Sequence, residues 1–248
     1  SIGQLLRHAM PRLGATAEVY GPVGDPDDAL GAVARLRPTV IVGIPVQVHT
    51  LVRHAAARGT QVAGVRSVLL SADRTPSTVR SVVERAWACD VYDHYGTTEM
   101  GYGGGVACEA HDGYHLRAAD LLFEVVDPAT GRSCRPGEGG EVVVTTLRRT
   151  GMPLIRYRTG DVSALLPGPC RCGSRLPRLQ AIPGRLDDEV RLPGGGRAGL
   201  PELDERLLGL EGVADYTAVL RHAREGPPVL EVVLRLLPPQ GRPRLRDD

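Results

Sequence analysis

The chain has 248 residues, enough to bury a sizeable core as one large domain with or without a small appendage. Its formal net charge of +1 at pH 7 argues against a nucleic-acid or membrane-surface partner, and no apolar run reaches the roughly 20 residues of a membrane helix. The strongly basic residues are all arginines, so this chain cannot carry out a step that needs a lysine ammonium.

Helix and strand patterns alternate over the first ninety residues. Helices are predicted over 29–36, 48–58 and 77–88, and strands over 39–44, 65–70 and from Asp90. This order indicates the α/β class, with a mostly parallel sheet covered by helices. The continuous β-branched run 39–44 predicts a strand buried on both faces.

The pattern changes after residue 106. Strands are predicted over 121–126, 141–147 and 162–166, with a turn at 127–131, which indicates a small antiparallel β-region. A Gly/Pro-rich patch, 193–199, predicts a hinge. Beyond it we expect a helix at 201–208, strands at 216–220 and 229–237, and a frayed end at 238–248.

The first candidate site is Tyr95-Gly96-Thr97-Thr98-Glu99, which follows the strand predicted from Asp90. Ligands of parallel sheets bind where the loops emerge at the carboxyl ends of the strands. The loop Ser71-Ala72-Asp73-Arg74 is expected at the same edge. Short hydroxyls can donate to phosphate, a carboxylate can bind Mg²⁺, and glycine lets the backbone approach a ligand. The alternative is an ordinary turn into a helix with a threonine cap.

Two later motifs carry further carboxylates. Asp161, in Tyr157-Arg158-Thr159-Gly160-Asp161, can accept hydrogen bonds from both hydroxyls of a ribose. Arg185 can reach a phosphate or a ribose, and Asp187 can serve as a pivot before the flexible patch. Taken singly, both motifs are also ordinary loop sequences.

The five cysteines are unevenly spread and include a Cys-x-Cys pair, which favours a reducing compartment and a metal over a disulfide framework. Cys108, His115, Cys170 and Cys172 could form a closed tetrahedral Zn²⁺ site. The alternative is free thiols in a reducing cell. Cys89 is expected in the core and Cys134 in a turn. No secretory leader opens the sequence, so we expect a cytoplasmic protein.

In this order, the motifs resemble the adenylate-forming superfamily of acyl-CoA synthetases (AMP-binding enzymes), and most closely its phenylacetate–CoA ligase branch. The segments that carry the resemblance are 140–147, 153–161, 169–173 and 184–188. Asp112-Gly113-Tyr114-His115 is similar to the Asp-Gly-Leu-His of the family, which favours His115 over His111 as the zinc ligand.

The resemblance implies an α/β fold made of the C-terminal part of the large adenylate-forming domain and a partial α+β C-terminal domain. The implied boundaries are 1–183 for the AMP-binding large domain, 184–188 for the hinge and 189–248 for the small domain. Relative to the family, we expect truncation at both ends, without the phosphate loop and the catalytic lysine. Ser71-Ala72-Asp73 replaces a glycine-richer sequence, so we expect an altered substrate fit.

The resemblance also implies a role for each site residue. Asp93 would lie near the adenine amine, Tyr95 against the adenine ring, Gly96 and Thr97 along the nucleotide, Thr98 at phosphate, Glu99 on Mg²⁺, Asp161 on the ribose, Arg185 on ribose or phosphate, and Asp187 at the pivot. Thr98, Glu99 and Arg185 would be the catalytic residues.

The implied function is activation of a carboxylic acid by ATP through an acyl-adenylate, with transfer to coenzyme A (an AMP-forming acid–CoA ligase). The implied cofactors are ATP or AMP, Mg²⁺, coenzyme A and structural Zn²⁺. We expect incomplete activity from the chain alone. The alternatives are a non-enzymatic, zinc-stabilised nucleotide- or acyl-binding remnant, and adenylation with a carrier-protein thiol or a hydroxyl as acceptor. A homodimer is one alternative for the oligomeric state.

Overall fold

The structure, a computed structural model, describes residues 2–191, 197–221 and 229–237. The helices of this part of the chain are α1 (Ile2–Ala9), α2 (Pro26–Leu36), α3 (Pro45–Ala57), α4 (Ser77–Trp87) and α5 (Leu200–Leu207). The strands are β1 (Val40–Gly43), β2 (Ser67–Leu70), β3 (Asp90–Tyr95), β4 (Gly105–Ala107), β5 (Tyr114–Leu116), β6 (Leu121–Val126), β7 (Gly140–Thr146), β8 (Tyr157–Ser163), β9 (Leu165–Leu166), β10 (Arg178–Leu179), β11 (Glu189–Arg191), β12 (Arg197–Gly199), β13 (Val213–Arg221) and β14 (Val229–Leu236).

A central sheet contains seven strands in the order β1-β2-β3-β4-β5-β10-β9. The first three strands are parallel, and every pairing from β3 onward is antiparallel. Gly43 pairs with Leu70 and Leu70 with Asp93, so the carboxyl ends of β1 to β3 are level. The loops that follow these strands therefore emerge at one edge. The predicted α/β class is confirmed.

Helices α2, α3 and α4 build the main core against this sheet. On α4, the buried residues Val79, Val82, Val83 and Trp87 recur at helical spacing and form one apolar stripe. They share a hydrophobic cluster with the inward side chains of β2 and β3, for example that of Val68. Cys89 lies in the same cluster, as predicted.

The prediction that the first strand is buried on both faces is wrong. Ile41 packs against the helix-side core, but Val40 and Val42 are 53% and 46% exposed. β1 is an edge strand within the described residues, and no described helix covers its second face. The β-branched run therefore predicted the strand correctly, but it did not predict that one face of the strand is exposed.

The antiparallel β-region is present as the three-stranded sheet β6-β7-β8. Its inward residues join Met100, Leu116 and Leu179 in a second hydrophobic cluster. The strand predicted over 162–166 instead runs over Tyr157–Ser163, and the two residues after Ala164 pair in the central sheet. A register shift between Glu141 and Val143 on β7 interrupts the pairing of β7 with β8.

The last described elements are α5 and the hairpin β13–β14, which confirm the helix and the two strands predicted there. Of the predicted hinge patch, Arg197–Gly199 form β12 and pair with β11, while residues 192–196 lie outside the described part. The predicted frayed end, 238–248, lies outside it too. Among the described helices, none combines the length and hydropathy needed to cross a membrane.

Candidate functional site

A cleft of about 940 Å³ opens where the parallel strands end. The loop Ser71–Arg74, the segment Tyr95–Glu99, Asp161 and Arg185 line it from one side of the molecule. Asp204, Asp215 and Tyr216 of the carboxy-terminal elements line it from the other. The three motifs, which are about sixty and twenty-five residues apart in the sequence, thus meet at one place.

Glycines make the loop around this cleft compact. A Cβ on Gly96 would lie 2.7 Å from the Cα of Gly103, so the two backbones touch. Gly103 has φ +93°, and a Cβ there would lie 1.9 Å from Nε2 of His94. Both positions therefore require glycine, and they hold the Tyr95–Glu99 segment against the loop that follows it.

Thr97, Thr98 and Glu99 present polar groups to the cleft. The Thr97 hydroxyl is buried and makes no hydrogen bond of ordinary geometry within the described residues. It lies near enough to Glu99 to help lower the pKa of that carboxyl, which the backbone N–H of Glu99 itself lowers most. A carboxylate that stays ionised beside hydroxyls fits the ligand chemistry of Mg²⁺.

Asp161 is the most interconnected carboxylate of the cleft, with only 6% of its surface exposed. Tyr95 donates its hydroxyl to Oδ2 at 2.8 Å, and Arg185 donates Nε to Oδ1 at 2.9 Å. Burial first, and then the charge of Asp161, raise the pKa of Tyr95, which therefore stays protonated as a donor. Among the described residues, each carboxylate oxygen has one hydrogen-bond partner, which leaves it a second lone pair for a ligand hydroxyl.

The aromatic ring of Tyr95 is buried in the second hydrophobic cluster and stacks on Tyr114, with ring centroids 5.6 Å apart. Its contact with adenine stays a prediction. Asp93 lies at the end of β3 and pairs with Arg80 through Oδ2, while its Oδ1 is buried without a hydrogen-bond partner in the described part of the chain. Asp93 does not line the cleft, so its contact with an adenine amine stays a prediction.

Asp187, like Asp93, lies outside the lining of the cleft. It is exposed, in a turn between the bridge at Arg185 and β11, and it does not line the cleft. Its neighbour Asp188 does, and accepts the backbone N–H of Arg185 at 2.8 Å. The Gly-Arg-Leu-Asp-Asp motif already offered this second carboxylate.

The sequence reasoning gave no role to the Ser71–His94 pair. Oγ of Ser71 lies 2.9 Å from Nδ1 of His94, which bridges the carboxyl ends of β2 and β3. Burial lowers the pKa of His94, so the imidazole is neutral near pH 7. The level strand ends could have revealed this pair, because loops of adjacent parallel strands face each other. Arg74 lines the cleft, as predicted for the loop Ser71-Ala72-Asp73-Arg74.

The four predicted zinc ligands lie together. The ligand atoms of Cys108, His115, Cys170 and Cys172 are all within 4.8 Å of one another. The sulfurs of Cys108 and Cys170 are 3.7 Å apart, and Sγ of Cys172 is 3.3 Å from Nε2 of His115.

A zinc ion fits this cluster. With Zn–S near 2.3 Å, tetrahedral geometry places two sulfurs about 3.8 Å apart and a sulfur and a nitrogen about 3.5 Å apart. Burial raises the pKa of Cys108 to about 11, whereas the backbone N–H of Cys172 lowers that of Cys170. The raised pKa of Cys108 disfavours its thiolate when no cation is bound, and a bound cation would lower this pKa. Cys134, by contrast, lies by itself beside the second cluster.

Comparisons with known proteins place the chain in a family. Residues 7–147 match the family of AMP-binding enzymes. The phenylacetate-coenzyme A ligase of Thermus thermophilus is 34% identical over 196 residues, which are 77% of this chain and 43% of that ligase. The chain thus spans less than half the length of the curated relatives it matches.

Solved structures agree with this match. A 2-hydroxyisobutyryl-CoA ligase in the postadenylation state, in complex with an acyl-AMP, aligns over 94% of this chain and 52% of that ligase with a TM-score of 0.79 and 26% identity. The same ligase with coenzyme A in the thioesterification state gives a TM-score of 0.69 and 25% identity over 94% of this chain and 51% of the ligase. The family match covers more than half of the chain, and the protein therefore belongs to the family of AMP-binding enzymes.

Proposed function

We propose that this chain provides the adenosine- and magnesium-binding side of an AMP-forming acid–CoA ligase. Asp161 binds the ribose hydroxyls, and Asp93 and Tyr95 face the adenine. Thr97 and Thr98, which follow Gly96, donate to phosphate oxygens. The observation that carries the proposal is the meeting of Thr97–Glu99, Asp161 and Arg185 in one cleft.

The chemistry expected of this side is binding and charge neutralisation. Mg²⁺, when bound, neutralises phosphate charge, and Glu99 offers an ionised carboxylate to hold it. Arg185 has a raised pKa because of Asp161, so it stays charged, and its half-exposed guanidinium can turn toward a phosphate. Asp161 would keep the bound ribose in register while the phosphate end reacts.

The state of the two matched ligase structures supports the same proposal. The chain resembles the postadenylation arrangement more than the thioesterification arrangement, by 0.79 to 0.69 in TM-score. We infer that the carboxy-terminal elements are held here in the arrangement of the postadenylation state. Residues 1–183 would then act as the large domain, 189–248 as the small domain, and Asp187 in 184–188 as the pivot between them.

The relatives support a proposal for the class of substrate and the acceptor. A phenylacetate-coenzyme A ligase and a 2-hydroxyisobutyryl-CoA ligase both join an acid to coenzyme A, so we propose a small carboxylic acid and coenzyme A for this protein. This chain contains no lysine, so a step that needs one would take it from outside these 248 residues, and we propose adenylate binding rather than complete turnover for the chain alone. We further propose the cytoplasm as its location.

Calorimetric titration with AMP and Mg²⁺ tests the nucleotide site. Asp161→Asn should weaken AMP binding by about tenfold to a hundredfold, because the amide supplies one ribose acceptor fewer and no charge. Asp127→Asn, in an exposed turn, is the matched control and should bind as the parent does. A folded parent chain that does not bind AMP at all would refute the proposal.

Pyrophosphate release with aryl and aliphatic acids measures the first reaction. Acyl transfer to coenzyme A or to a carrier-protein thiol then identifies the acceptor. Binding of AMP without pyrophosphate release from any acid would favour the second candidate, a nucleotide-binding remnant.

We also propose structural zinc at the cluster of Cys108, His115, Cys170 and Cys172, where it would join the loop after β4 to the loop before β10. Metal analysis of a Cys170→Ser/Cys172→Ser variant should show one equivalent of zinc lost. Cys134→Ser, the matched control, should keep it, because Cys134 lies outside the cluster. Equal zinc content in all three proteins, or none in the parent, would contradict the site.

A further inference from the structure

Helix α5 docks on the first turn of α4 and on the loop beside the nucleotide cleft. We propose that Arg74, Asp204 and Glu205 form a latch that fixes the carboxy-terminal elements against the cleft wall, with Arg74 as a positioning residue. The existence of the latch is independent of the proposed function. Its effect on the reaction rests on that proposed function.

Glu205 carries the first half of the latch. Its carboxylate accepts the backbone N–H groups of Ser77 at 2.7 Å and of Thr78 at 3.0 Å, and both hydroxyls at 2.8 and 2.9 Å. Pro76, the residue that precedes α4, makes no side-chain cap of its own. Glu205 thus caps α4 from a distance of about 130 residues in sequence, and it places a negative charge at the positive end of the helix.

The titration of Glu205 agrees with this geometry. Although burial raises the pKa of this carboxyl, hydrogen bonds from Ser77 and Thr78 bring it down to about 2. The carboxylate is therefore ionised throughout the neutral range. The charged group that faces it from the cleft loop is Arg74.

Arg74 carries the second half and connects the latch to the cleft. Its guanidinium donates to Oδ2 of Asp204 at 2.9 Å, to Oε1 of Glu205 at 3.3 Å and to the carbonyl of Pro201 at 3.0 Å. Only 20% of its side chain is exposed. The same loop lines the cleft and contains Ala72 in a left-handed conformation at φ +74°. Movement of α5 would therefore pull directly on a wall of the nucleotide site.

Neighbouring contacts support the docked position without using the latch. Oγ1 of Thr50 donates to the carbonyl of Ala214 at 3.1 Å, and Arg53 donates to the carbonyl of Leu208 at 3.3 Å. A Cβ on Gly209 would lie 3.2 Å from a methyl group of Thr78, so the chain after α5 packs closely on α4. Loss of the latch should therefore loosen α5 and leave the two hydrophobic clusters intact.

The latch predicts a specific order of events in the proposed reaction. If the carboxy-terminal elements swing about Asp187 after adenylation, Arg74 must first release Asp204 and Glu205. Weakening the latch at Glu205, which does not line the cleft, should leave AMP binding within about threefold of the parent while it changes the second half-reaction. A change in the first half-reaction alone would contradict this order.

Hydrogen exchange of the full chain tests the latch without any nucleotide. In Glu205→Ala, the amides of Ser77 and Thr78 should exchange about tenfold faster or more, because each loses its acceptor. Alanine is the best helix former, so α5 itself should persist. The matched control is Glu202→Ala, which removes an exposed carboxylate of the same helix that pairs only with Arg206 in the described residues.

Equal exchange of these amides in Glu205→Ala and the parent would overturn the latch. If the alanine variant does not fold, Glu205→Gln keeps the side-chain length and one acceptor, and should still speed the exchange. Arg74→Ala should loosen the residues of α5 as well, whereas Arg74→Lys should restore part of the protection through its single ammonium. Since no step uses AMP, a failed nucleotide titration would leave this test valid.

Discussion

The hydrogen bond from Tyr95 to Asp161 allows a quantitative test of the cleft. Both groups are buried, and the hydroxyl donates at 2.8 Å. In Asp161→Ala the Tyr95 hydroxyl would stay buried without an acceptor, which costs about 1–3 kcal/mol. The pair with Arg185 adds at most about 1 kcal/mol, because 56% of the arginine side chain is exposed. We expect the free energy of unfolding to fall by about 1–4 kcal/mol.

Tyr95→Phe removes the donor and should cost about 1 kcal/mol, since Asp161 keeps Arg185 as a partner. In the double variant no hydroxyl is left without an acceptor. The double variant should therefore be about 1–2 kcal/mol more stable than the sum of the two single changes predicts. Urea denaturation of the four proteins gives this coupling energy.

Tyr20 and Asp28 provide a matched control. Their hydrogen bond is 2.6 Å long and exposed, so the corresponding cycle should give a coupling energy near zero. Strictly additive costs at Tyr95 and Asp161 would refute the reasoning, because they would mean that the buried hydroxyl does not depend on the carboxylate.

Three other predictions concern the glycine at 103, the ionised carboxylate of Glu205 and the zinc cluster. Gly103→Ala should lower the midpoint of urea unfolding more than Gly137→Ala does, because both glycines have positive φ but only Gly103 would place its Cβ on His94. The stability difference between the parent and Glu205→Ala, followed by urea denaturation, should be largest at neutral pH. It should shrink as the pH falls from the unfolded value of about 4.3 toward the folded value of about 2, and an unchanged difference down to pH 2 would contradict the low pKa. Chelation of zinc from the Cys/His cluster should lower the thermal midpoint of the parent, whereas a chelator should leave the midpoint of the Cys170→Ser/Cys172→Ser variant unchanged.

The sequence predicted the parallel part of the fold well, because its strands and helices have long apolar patterns. α4 shows this best, with four buried residues at helical spacing. The strands β4, β5 and β10 have only two or three residues each, and Gly103-Gly104-Gly105 leads into β4 without any alternation. Such short pairings depend on contacts with residues far away in sequence.

The candidate site followed the same division. The motifs singled out Thr97–Glu99, Asp161 and Arg185 by residue type and order, and the structure brings these residues to one cleft, while their roles stay predictions. Contacts between distant polar residues left no such pattern: Glu205 contacts α4 and Arg74, which lie about 130 residues earlier in the sequence, and neither motif nor period marks Glu205. The exposure of Val40 and Val42 was equally invisible, because a β-branched run looks the same on a covered and an uncovered face.

The most direct test of the nucleotide site is a hydrogen-exchange footprint of a phenylacetyl sulfamoyladenosine, a stable mimic of an acyl-adenylate. At saturation with the mimic, we expect slower exchange in residues 93–99, 157–163 and 184–188 and unchanged exchange in β14. A folded, zinc-loaded chain that does not bind the mimic, or that binds it without slower exchange in these three segments, would contradict the proposed nucleotide site.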